Sequence, residues 1–251
     1  MPHSEWKSRT SLLLGKPGIE KLHNARVLVA GLGGVGAQAA EQLCRAGVGH
    51  LTIVDGDCIN PTNRNRQLAA LISTEGHAKT DVMSQRLLDI NPSLSLTIIQ
   101  EYIKDDRLVE VLSGGYDYVV DAIDTLSPKV YLIFNALKLG LPVVSSMGAG
   151  GKMDPALVQV SDLSASHTCR LAYYIRKHLH KLGVFEGVKV VFSPEVVSRD
   201  SVELFEGEAN KKSTVGTISY MPAVFGCFCA SVVIRDLLKI NSSEIQIQDV
   251  L

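Results

Sequence analysis

The sequence predicts an α/β fold built on a doubly wound, mostly parallel sheet. A short apolar run at Val27–Ala30 is rich in β-branched residues, as expected of a buried parallel strand. A glycine-rich turn and an amphipathic helix pattern follow it directly, an order typical of nucleotide-binding proteins. Strand and helix patterns then alternate as far as residue 150. We therefore predict a Rossmann-like sheet, extended by antiparallel strands and a C-terminal helix.

Length and composition narrow the class of protein. The chain has 251 residues, 46% of them hydrophobic, which suits one domain with a substantial core. We expect a single domain over 1–251, with a helical segment (1–25), a nucleotide-binding half (26–150) and a C-terminal half (151–251). The net charge of −1 excludes a globally basic nucleic-acid binder but allows a local basic patch.

The cysteine pattern and the N-terminus indicate a cytoplasmic protein. Five scattered cysteines form no C-x-x-C pair, so the sequence indicates neither a zinc site nor a disulfide framework. The N-terminus is too polar for a signal peptide. Residues 218–234 are uncharged, but Pro222 and Gly226 interrupt them, and we interpret them as a buried core helix. No membrane span is expected.

The glycine-rich turn predicts a nucleotide site. Its glycines are Gly31, Gly33, Gly34 and Gly36, in the pattern G-x-G-x-x-G. The first permits a tight turn, the second lets a phosphate approach bare backbone, and the last lets the helix pack on the strand. The N-terminus of the following helix offers unpaired N–H groups to an anion.

Asp55 ends a second predicted strand at 51–55, about twenty residues beyond the last glycine, where a carboxylate reaches a ribose hydroxyl. We include Asp57 as a second nucleotide-binding candidate; the alternative is that both belong to a surface turn. The polar loop at 60–67 concentrates arginines and amides, which suit a polyphosphate and a base, although a solvated loop is the ordinary interpretation. Lys79 begins a predicted helix, where the dipole disfavours a cation unless it reaches an anion.

Asp124 follows the fourth predicted strand, at 116–123, and a third is predicted at 96–101. In an open parallel sheet strand four lies beside strand one, and ligands bind in the gap between them. A carboxylate there would repel phosphates unless Mg²⁺ lay between them, so Asp124 is a candidate metal ligand. It could also cap the helix predicted at 126–139.

The regular alternation ends after a fifth strand at 142–146. The glycine-rich loop at 147–152 is a candidate contact between substrate and backbone. Strands at 158–160 and 189–192 are predicted in a separate, antiparallel part of the sheet. Residues 198–213 are highly polar, and we expect a mobile loop over the site. Met221–Lys239 is predicted to be helical.

A helix predicted at 167–182 has one apolar and one basic face. The basic face carries Arg170, Tyr173, Arg176, Lys177, His180 and Lys181. A solvated surface is the ordinary interpretation, and a contact surface for a phosphate backbone is the alternative. Near the N-terminus we expect one or two helices that are broken at Gly15 and packed on the core through Leu12–Leu14. Arg9 lies just before these leucines.

Together these motifs resemble the ThiF/MoeB/ubiquitin-activating superfamily, whose members adenylate a carboxylate. The resemblance rests on the glycine loop, Asp55, Asn63-x-Asn-Arg-Gln67, Lys79 and Asp121-Ala-Ile-Asp124. Within the superfamily the chain is most similar to the subgroup that dehydrates threonylcarbamoyladenosine in tRNA. That similarity rests on residues 62–67, 120–124, 148–151, 153–155 and 191–193, and the resemblance covers residues 6–239.

The resemblance implies ATP and Mg²⁺ as ligands, tRNA bearing threonylcarbamoyladenosine as substrate, and a homodimer. Its implied nucleotide contacts are Gly31, Gly33, Gly34, Gly36, Asp55, Asp57, Asn63, Arg66, Gln67 and Lys79, with the metal on Asp124. Its implied catalytic residues are Arg66, Lys79, Asp124 and Arg9, the last reaching the γ-phosphate of the partner subunit's ATP. It also implies one adenylating domain whose second half contacts substrate and partner. A sulfur-relay protein as a further partner stays open.

Other functions compete with this interpretation. An enzyme of the MoeB or ThiF type would share the ATP site but adenylate the Gly-Gly end of a sulfur-carrier protein. The missing C-x-x-C pairs argue against it. An NAD-dependent oxidoreductase would leave Arg66 and Lys79 unused, and a nucleotide-sensing scaffold would need no chemistry. Cys169 lies where conjugating members of the superfamily carry a thioester cysteine, but the tRNA subgroup does not need one.

Overall fold

The computed structural model describes residues 2–204 and 213–240, and these form seven α-helices and two sheets. The strands are β1 Arg26–Ala30, β2 His50–Val54, β3 Ser95–Ile99, β4 Tyr118–Asp121, β5 Val143–Ser146, β6 Gln159–Asp162, β7 Lys189–Phe192, β8 Val202–Leu204 and β9 Ser213–Val215. The helices are α1 Ser8–Asn24, α2 Gly36–Ala46, α3 Lys79–Ile90, α4 Asp105–Leu112, α5 Leu126–Lys138, α6 Arg170–Lys181 and α7 Tyr220–Leu238. The predicted mixed α/β class is confirmed.

The main sheet has the strand order β3-β2-β1-β4-β5-β7-β6. β1 pairs in parallel with both β2 and β4, as predicted from the sequence. Chain order reverses between β1 and β4, so their carboxyl ends leave a crevice where ligands bind in sheets of this type.

The sheet is covered on both faces, which is why its central strands are continuously apolar. One apolar cluster joins the sheet to α2, α3 and α7, with Leu43, Met83 and Phe225 buried in it. The other joins the opposite face to α4, α5 and α6, where Ile133 and Ile175 are buried. Strands buried on both faces show no alternation of polar and apolar residues, and that is what the sequence showed.

The prediction of a separate antiparallel part was half wrong. β7 pairs in parallel with β5 in the main sheet, and only β6 is antiparallel, as the edge strand beyond β7. α6 therefore belongs to the crossover from β5 to the parallel β7, and it packs on the same face of the sheet as α4 and α5. The short β6 inserted before α6 hid this crossover from the sequence pattern.

The N-terminal helix differs from expectation. α1 is kinked at Gly15, whose φ is +66°, as its glycine and proline content predicted. However, Leu12 and Leu13 are 88% and 83% exposed, while Leu14 packs against the core. Three consecutive helical residues point about 100° apart, so one face cannot bury all of them.

The last helix lies inside the fold. α7 packs against α2, α1 and the sheet, and Met221, Phe225 and Val233 are buried. By length and composition it is the one described helix that could cross a membrane, and 44% of its apolar window is buried. Its packing supports the interpretation as a core helix.

The segment predicted as a mobile loop is partly a β-ladder. β8 pairs antiparallel with β9, with Val202 opposite Val215 and Leu204 opposite Ser213. Residues 205–212 lie outside the part of the chain that the structure describes, so the expectation of a mobile loop concerns residues that it does not cover.

Candidate active site

The glycine loop between β1 and α2 lies at the crevice and is shaped by close contacts. Gly31 has φ +90°, and a Cβ on it would be 2.8 Å from the carbonyl oxygen of Ala122. A Cβ on Gly36 would be 1.7 Å from the Gly31 oxygen, and one on Gly34 would be 2.7 Å from Pro222 Cβ. Three of the four glycines are therefore required by packing.

Gly33 is the exception, because space remains above it. A Cβ on Gly33 would meet only Gln67 Nε2, at 4.0 Å. The Gln67 side-chain oxygen is buried and has no hydrogen-bond partner among the described residues. An open backbone position beside an unpaired buried acceptor is suited to a polar ligand. The structure thus brings Gly33 and Gln67 together, as the sequence predicted.

Asp55 organises the neighbouring wall of the crevice. Its carboxylate accepts hydrogen bonds from the backbone N–H of Leu32 (2.6 Å) and of Asp57 (2.8 Å). Burial raises the pKa of Asp55 above its usual value, while the Lys79 ammonium and these backbone N–H groups act in the opposite direction. The bond to Leu32 ties the end of β2 to the glycine loop, so Asp55 holds the loop as well as facing the crevice.

Lys79 is buried at the start of α3 and pairs with both carboxylates. Its ammonium is 2.5 Å from Asp57 Oδ2 and 3.8 Å from Asp55 Oδ1. Tyr102 also donates a hydrogen bond to Asp57, and its ring lies over Gly56. The hydrogen bond to Asp57 raises the pKa of Tyr102 to about 12. The predicted cation is therefore in place, but its present partners are carboxylates.

The polar loop that follows is a structured turn. Asn63 accepts a hydrogen bond from the Asn60 N–H at 3.1 Å and so closes a short 3-10 turn. Arg66 donates to the Thr62 carbonyl at 3.0 Å and to Asn65 Oδ1 at 2.9 Å. Its own carbonyl lies beside Gly34. Local bonds therefore hold Arg66 next to the glycine loop.

Asp124 is exposed and lies three residues beyond the end of β4. The residue before α5 is Thr125, so the alternative that Asp124 itself caps this helix is wrong. No cluster of three or more acidic, His or Cys ligands occurs among residues 2–204 and 213–240. One exposed carboxylate fits Mg²⁺, which commonly takes one or two carboxylates and completes its shell with phosphates and water.

Arg9 lies away from the crevice of its own chain. The side chain of Lys7, two residues earlier, packs against Gly47 at the far end of α2. α2 has 11 residues and is therefore about 16 Å long, with the glycine loop at its other end. Arg9 is two residues beyond Lys7, near the end of α2 that is opposite the glycine loop.

The second glycine loop is more tightly packed than predicted. A Cβ on Gly150 would be 3.1 Å from Val215, and one on Gly151 would be 2.4 Å from Val197. The Gly151 N–H donates to the Gly216 carbonyl at 2.8 Å. Gly150 therefore allows close contact with β9, and Gly151 allows close contact with the segment that precedes β8. Only Gly148 keeps space above its backbone, with nothing nearer than 3.9 Å.

Cys169 does not have the surroundings of a thioester nucleophile. It is 6% exposed, immediately before α6, with its sulfur near Gly148. An acyl-accepting cysteine must be accessible to its substrate, and burial removes that access. The structure favours a packing role for Cys169.

The basic face of α6 loses one predicted member. Arg176 is half-buried and donates to the carbonyls of Leu163 (3.0 Å) and Ser166 (2.8 Å). It therefore fixes the segment before α6. The remaining members stay at the surface, with Arg170 stacked 5.8 Å from the Tyr174 ring centre. The apolar face is as predicted except for Leu182, which is 38% exposed.

Two features of the site were not singled out from the sequence. Lys129 is fully buried and paired with Asp121 below the crevice. Tyr102 covers Gly56 beside the ribose-binding candidate. The sequence did contain a signal for Lys129, because a lysine in the first turn of a mostly apolar helix indicates a buried charge that needs a partner. For Tyr102 no pattern in the sequence exists, because its contact depends on how β3 is placed beside β2.

A family model decides the relationship of this chain to known proteins. The model described as the ThiF family matches residues 7–249. The chain belongs to the ThiF family. The resemblance inferred from the glycine loop, Asp55, Lys79 and Asp124 is thereby confirmed at the level of the family.

Two similar members of the ThiF family carry the same name, that of a tRNA-modifying dehydratase. The tRNA threonylcarbamoyladenosine dehydratase of Bacillus subtilis is 41% identical over 239 residues, which are 92% of this chain and 94% of that protein. The Escherichia coli protein of the same name is 38% identical, over 76% of this chain and 75% of its own length. By contrast, the molybdopterin-synthase adenylyltransferase of Salmonella typhimurium is 34% identical over only 55% of this chain and 54% of its own.

Solved structures of similar proteins have the same fold. The E. coli tRNA N6-threonylcarbamoyladenosine dehydratase in complex with ATP superposes with a TM-score of 0.86 at 33% identity, covering 94% of this chain and 95% of that one. The same protein in complex with AMP gives the same values. The predicted fold class is confirmed by these neighbours.

The glycine loop yields a paired prediction. Gly33→Ala should fold normally but weaken ATP binding, because its methyl group enters the open space above the loop. Gly36→Ala should lower the free energy of unfolding by about 3 kcal/mol or more, because the Gly31 carbonyl has no room to move. Denaturant unfolding and calorimetry with ATP measure the two effects. Parent-like ATP affinity in folded Gly33→Ala would contradict the assignment of this space to the nucleotide.

A second prediction concerns Cys169. Cys169→Ala should keep ATP-dependent turnover within about a factor of two, because no covalent intermediate on this sulfur is needed. Alkylation of the native protein followed by mass spectrometry should label the exposed Cys58 and Cys227 and spare Cys169. Loss of turnover in a folded Cys169→Ala variant would show that the thiol is chemically required.

Proposed function

We propose that this protein is an ATP-dependent tRNA threonylcarbamoyladenosine dehydratase that acts through an acyl-adenylate. The similarity along nearly the whole chain to dehydratases of that name supports the proposal. The single structural observation that carries it is the crevice between β1 and β4. The open position at Gly33 and the unpaired buried oxygen of Gln67 lie just after β1, and Asp124 follows the neighbouring β4.

The site has to bring two anions together. A substrate carboxylate must approach the α-phosphate of ATP, and the negative charge on both must be offset. The Arg66 backbone lies beside Gly34, Lys79 pairs with Asp55 and Asp57, and the N-terminus of α2 adds its dipole. Lys79 would have to exchange its present contact with Asp57 for a phosphate oxygen.

The chemistry balances without a protein nucleophile. An oxygen of the threonine carboxylate attacks the α-phosphorus, and pyrophosphate leaves. A neighbouring group of the same substrate then attacks the activated carbonyl, closes a five-membered ring and releases AMP and a proton. The oxygen lost from the substrate leaves in AMP, so the net change is removal of water. The buried position of Cys169 is consistent with this route.

Mg²⁺ would be held by Asp124 together with phosphate oxygens, and when bound it would neutralise charge on the triphosphate. Asp124 is exposed at the crevice, so it can reach a ligand without movement of the core. Asp55 and Asp57 would contact the ribose, and Asn63 would hold the arginine-bearing turn in place.

The exposed face of α6 supports the tRNA part of the proposal. Arg170, Lys177 and Lys181 are exposed, and Tyr173 is 51% exposed between them. Cys169, at the start of the helix, lies beside Gly148 at the carboxyl end of β5. The helix therefore leads away from the active-site edge of the sheet, along a path on which a nucleic acid could lie while its modified base enters the crevice.

A homodimer is part of the proposal, with residues 1–251 as one adenylating domain in each subunit. Leu12 and Leu13 are exposed on α1, close in sequence to Arg9. Neighbouring exposed apolar residues form part of an apolar patch, and such patches mark protein contacts when they are large. Because Arg9 lies near the end of α2 that is opposite its own glycine loop, we propose that it completes the site of the partner subunit.

Purified protein with ATP, Mg²⁺ and modified tRNA tests the function. Pyrophosphate should form only when the tRNA carries threonylcarbamoyladenosine, and nucleoside mass spectrometry should show the cyclic product. Pyrophosphate release that needs a sulfur-carrier protein ending in Gly-Gly, and not tRNA, would replace this function with the MoeB type.

Asp124→Ala should reduce adenylation by about 100-fold or more, since removal of one charge-stabilising group at such a site has effects of this size. The fold should be unaffected because the side chain is exposed. Exchange of pyrophosphate into ATP across a Mg²⁺ titration measures it. Near-normal exchange with an unchanged Mg²⁺ requirement would remove the metal role from Asp124.

Reversing charge on α6 should weaken tRNA binding without affecting ATP. Lys177→Glu/Lys181→Glu should raise the Kd for tRNA by about tenfold or more and make the salt dependence less steep. Lys138→Glu, on the exposed side of α5, is the matched control. Filter binding at several salt concentrations gives both quantities. An equal loss in the control would assign the effect to net charge alone.

A further inference from the structure

A fully buried ion pair lies below the crevice. Lys129 Nζ is 2.8 Å from Asp121 Oδ2, and both side chains are 0% exposed. Asp121 is the last residue of β4, and Lys129 is the fourth residue of α5. A cation in the first turn of a helix is disfavoured by the dipole, and two buried charges lose their hydration. Replacing a buried ion pair with apolar residues of similar volume often leaves the stability of a fold unchanged or raises it, so the pair is a weak source of stability.

The hydrogen bonds of the pair converge on one residue of the crevice wall. Lys129 Nζ donates to the Ile123 carbonyl at 2.9 Å, and Asp121 Oδ1 accepts from the Ile123 N–H at 3.1 Å. Ser145 on β5 donates to Asp121 Oδ2 at 2.6 Å, which fixes the carboxylate from the side. Both polar backbone groups of Ile123 are therefore held by charged partners.

Ile123 lies between two residues that shape the nucleotide site. Ala122, before it, forms the wall against Gly31 and touches the position where Gly36 would carry a Cβ. Asp124, after it, is the proposed metal ligand. Rotation of the Ile123 peptide would move both neighbours, while the pair itself is fully buried and offers no surface to a ligand.

We infer that Asp121 and Lys129 are positioning residues for the ATP site, which hold the Ala122–Asp124 turn in the geometry that nucleotide binding requires. The inference rests on the proposed function only in treating the crevice as an ATP site. The charges of Asp121 and Lys129 help to hold the turn, because charged groups make stronger hydrogen bonds to the backbone than neutral groups do. Ser145 supports the same arrangement.

The test removes both charges together. Asp121→Leu/Lys129→Met should fold, since no unpaired charge is left in the core, and its melting temperature should be close to that of the parent. Its Kd for ATP with Mg²⁺, measured by calorimetry without tRNA, should rise at least about tenfold because the site is displaced. Ser145→Ala, which removes one bond to Asp121, should show a smaller rise. Lys138→Met on the same helix should behave as the parent.

Two results would overturn the inference. One is a folded double variant with the parent's ATP affinity. The other is a double variant that does not fold combined with a Ser145→Ala variant whose ATP affinity equals that of the parent, which would assign the pair to stability alone. Because ATP binding is measured without tRNA, failure of the tRNA substrate assignment would leave this result intact.

Discussion

The approach of α2 to the carbonyl of Gly31 is the constraint on which the crevice depends. Only a residue without a Cβ allows it, because a Cβ on Gly36 would lie 1.7 Å from that oxygen. The contact brings the N-terminus of α2 to the end of β1, while Ala122 at the end of β4 closes the other side. A phosphate placed there meets backbone N–H groups and a helix dipole. The Asp55 bond to Leu32 and the buried pair at Asp121 then hold the two walls in register.

Electrostatics around the crevice follow from this framework. Carboxylates and cations alternate along its edge, with Lys79 between Asp55 and Asp57. A triphosphate would add negative charge to a place already rich in carboxylates, so cations must offset that charge if the nucleotide is to bind. The need to offset negative charge distinguishes a site for a triphosphate from a site for a neutral ligand. The same cations would reduce the repulsion between a substrate carboxylate and the phosphate, so that the carboxylate could be activated in the same crevice.

The sequence-based account failed in places that share a cause. Leu12 and Leu13 were expected to be buried and are exposed, whereas Arg176 was expected at the surface and instead holds two backbone carbonyls. β7 was assigned to an antiparallel part and pairs in parallel with β5. In each case the local pattern was correctly recognised as helix or strand. What it did not contain was the neighbouring element, which decides whether a given face meets core, solvent or another chain.

The sequence by itself determined the class of fold, the order of β1, β2 and β4, the glycine loop and the identity of its neighbouring polar residues. These follow from local rules: period, glycine spacing and the position of Asp55 and Asp124 at strand ends. Only the tertiary structure decided that Gly33, of the four glycines in the loop, has open space, that Lys79 pairs with Asp57 and that Lys129 is buried against Asp121. Each of these depends on contacts between residues distant in sequence, and side-chain burial and pairing are properties of the packed elements rather than of any single segment.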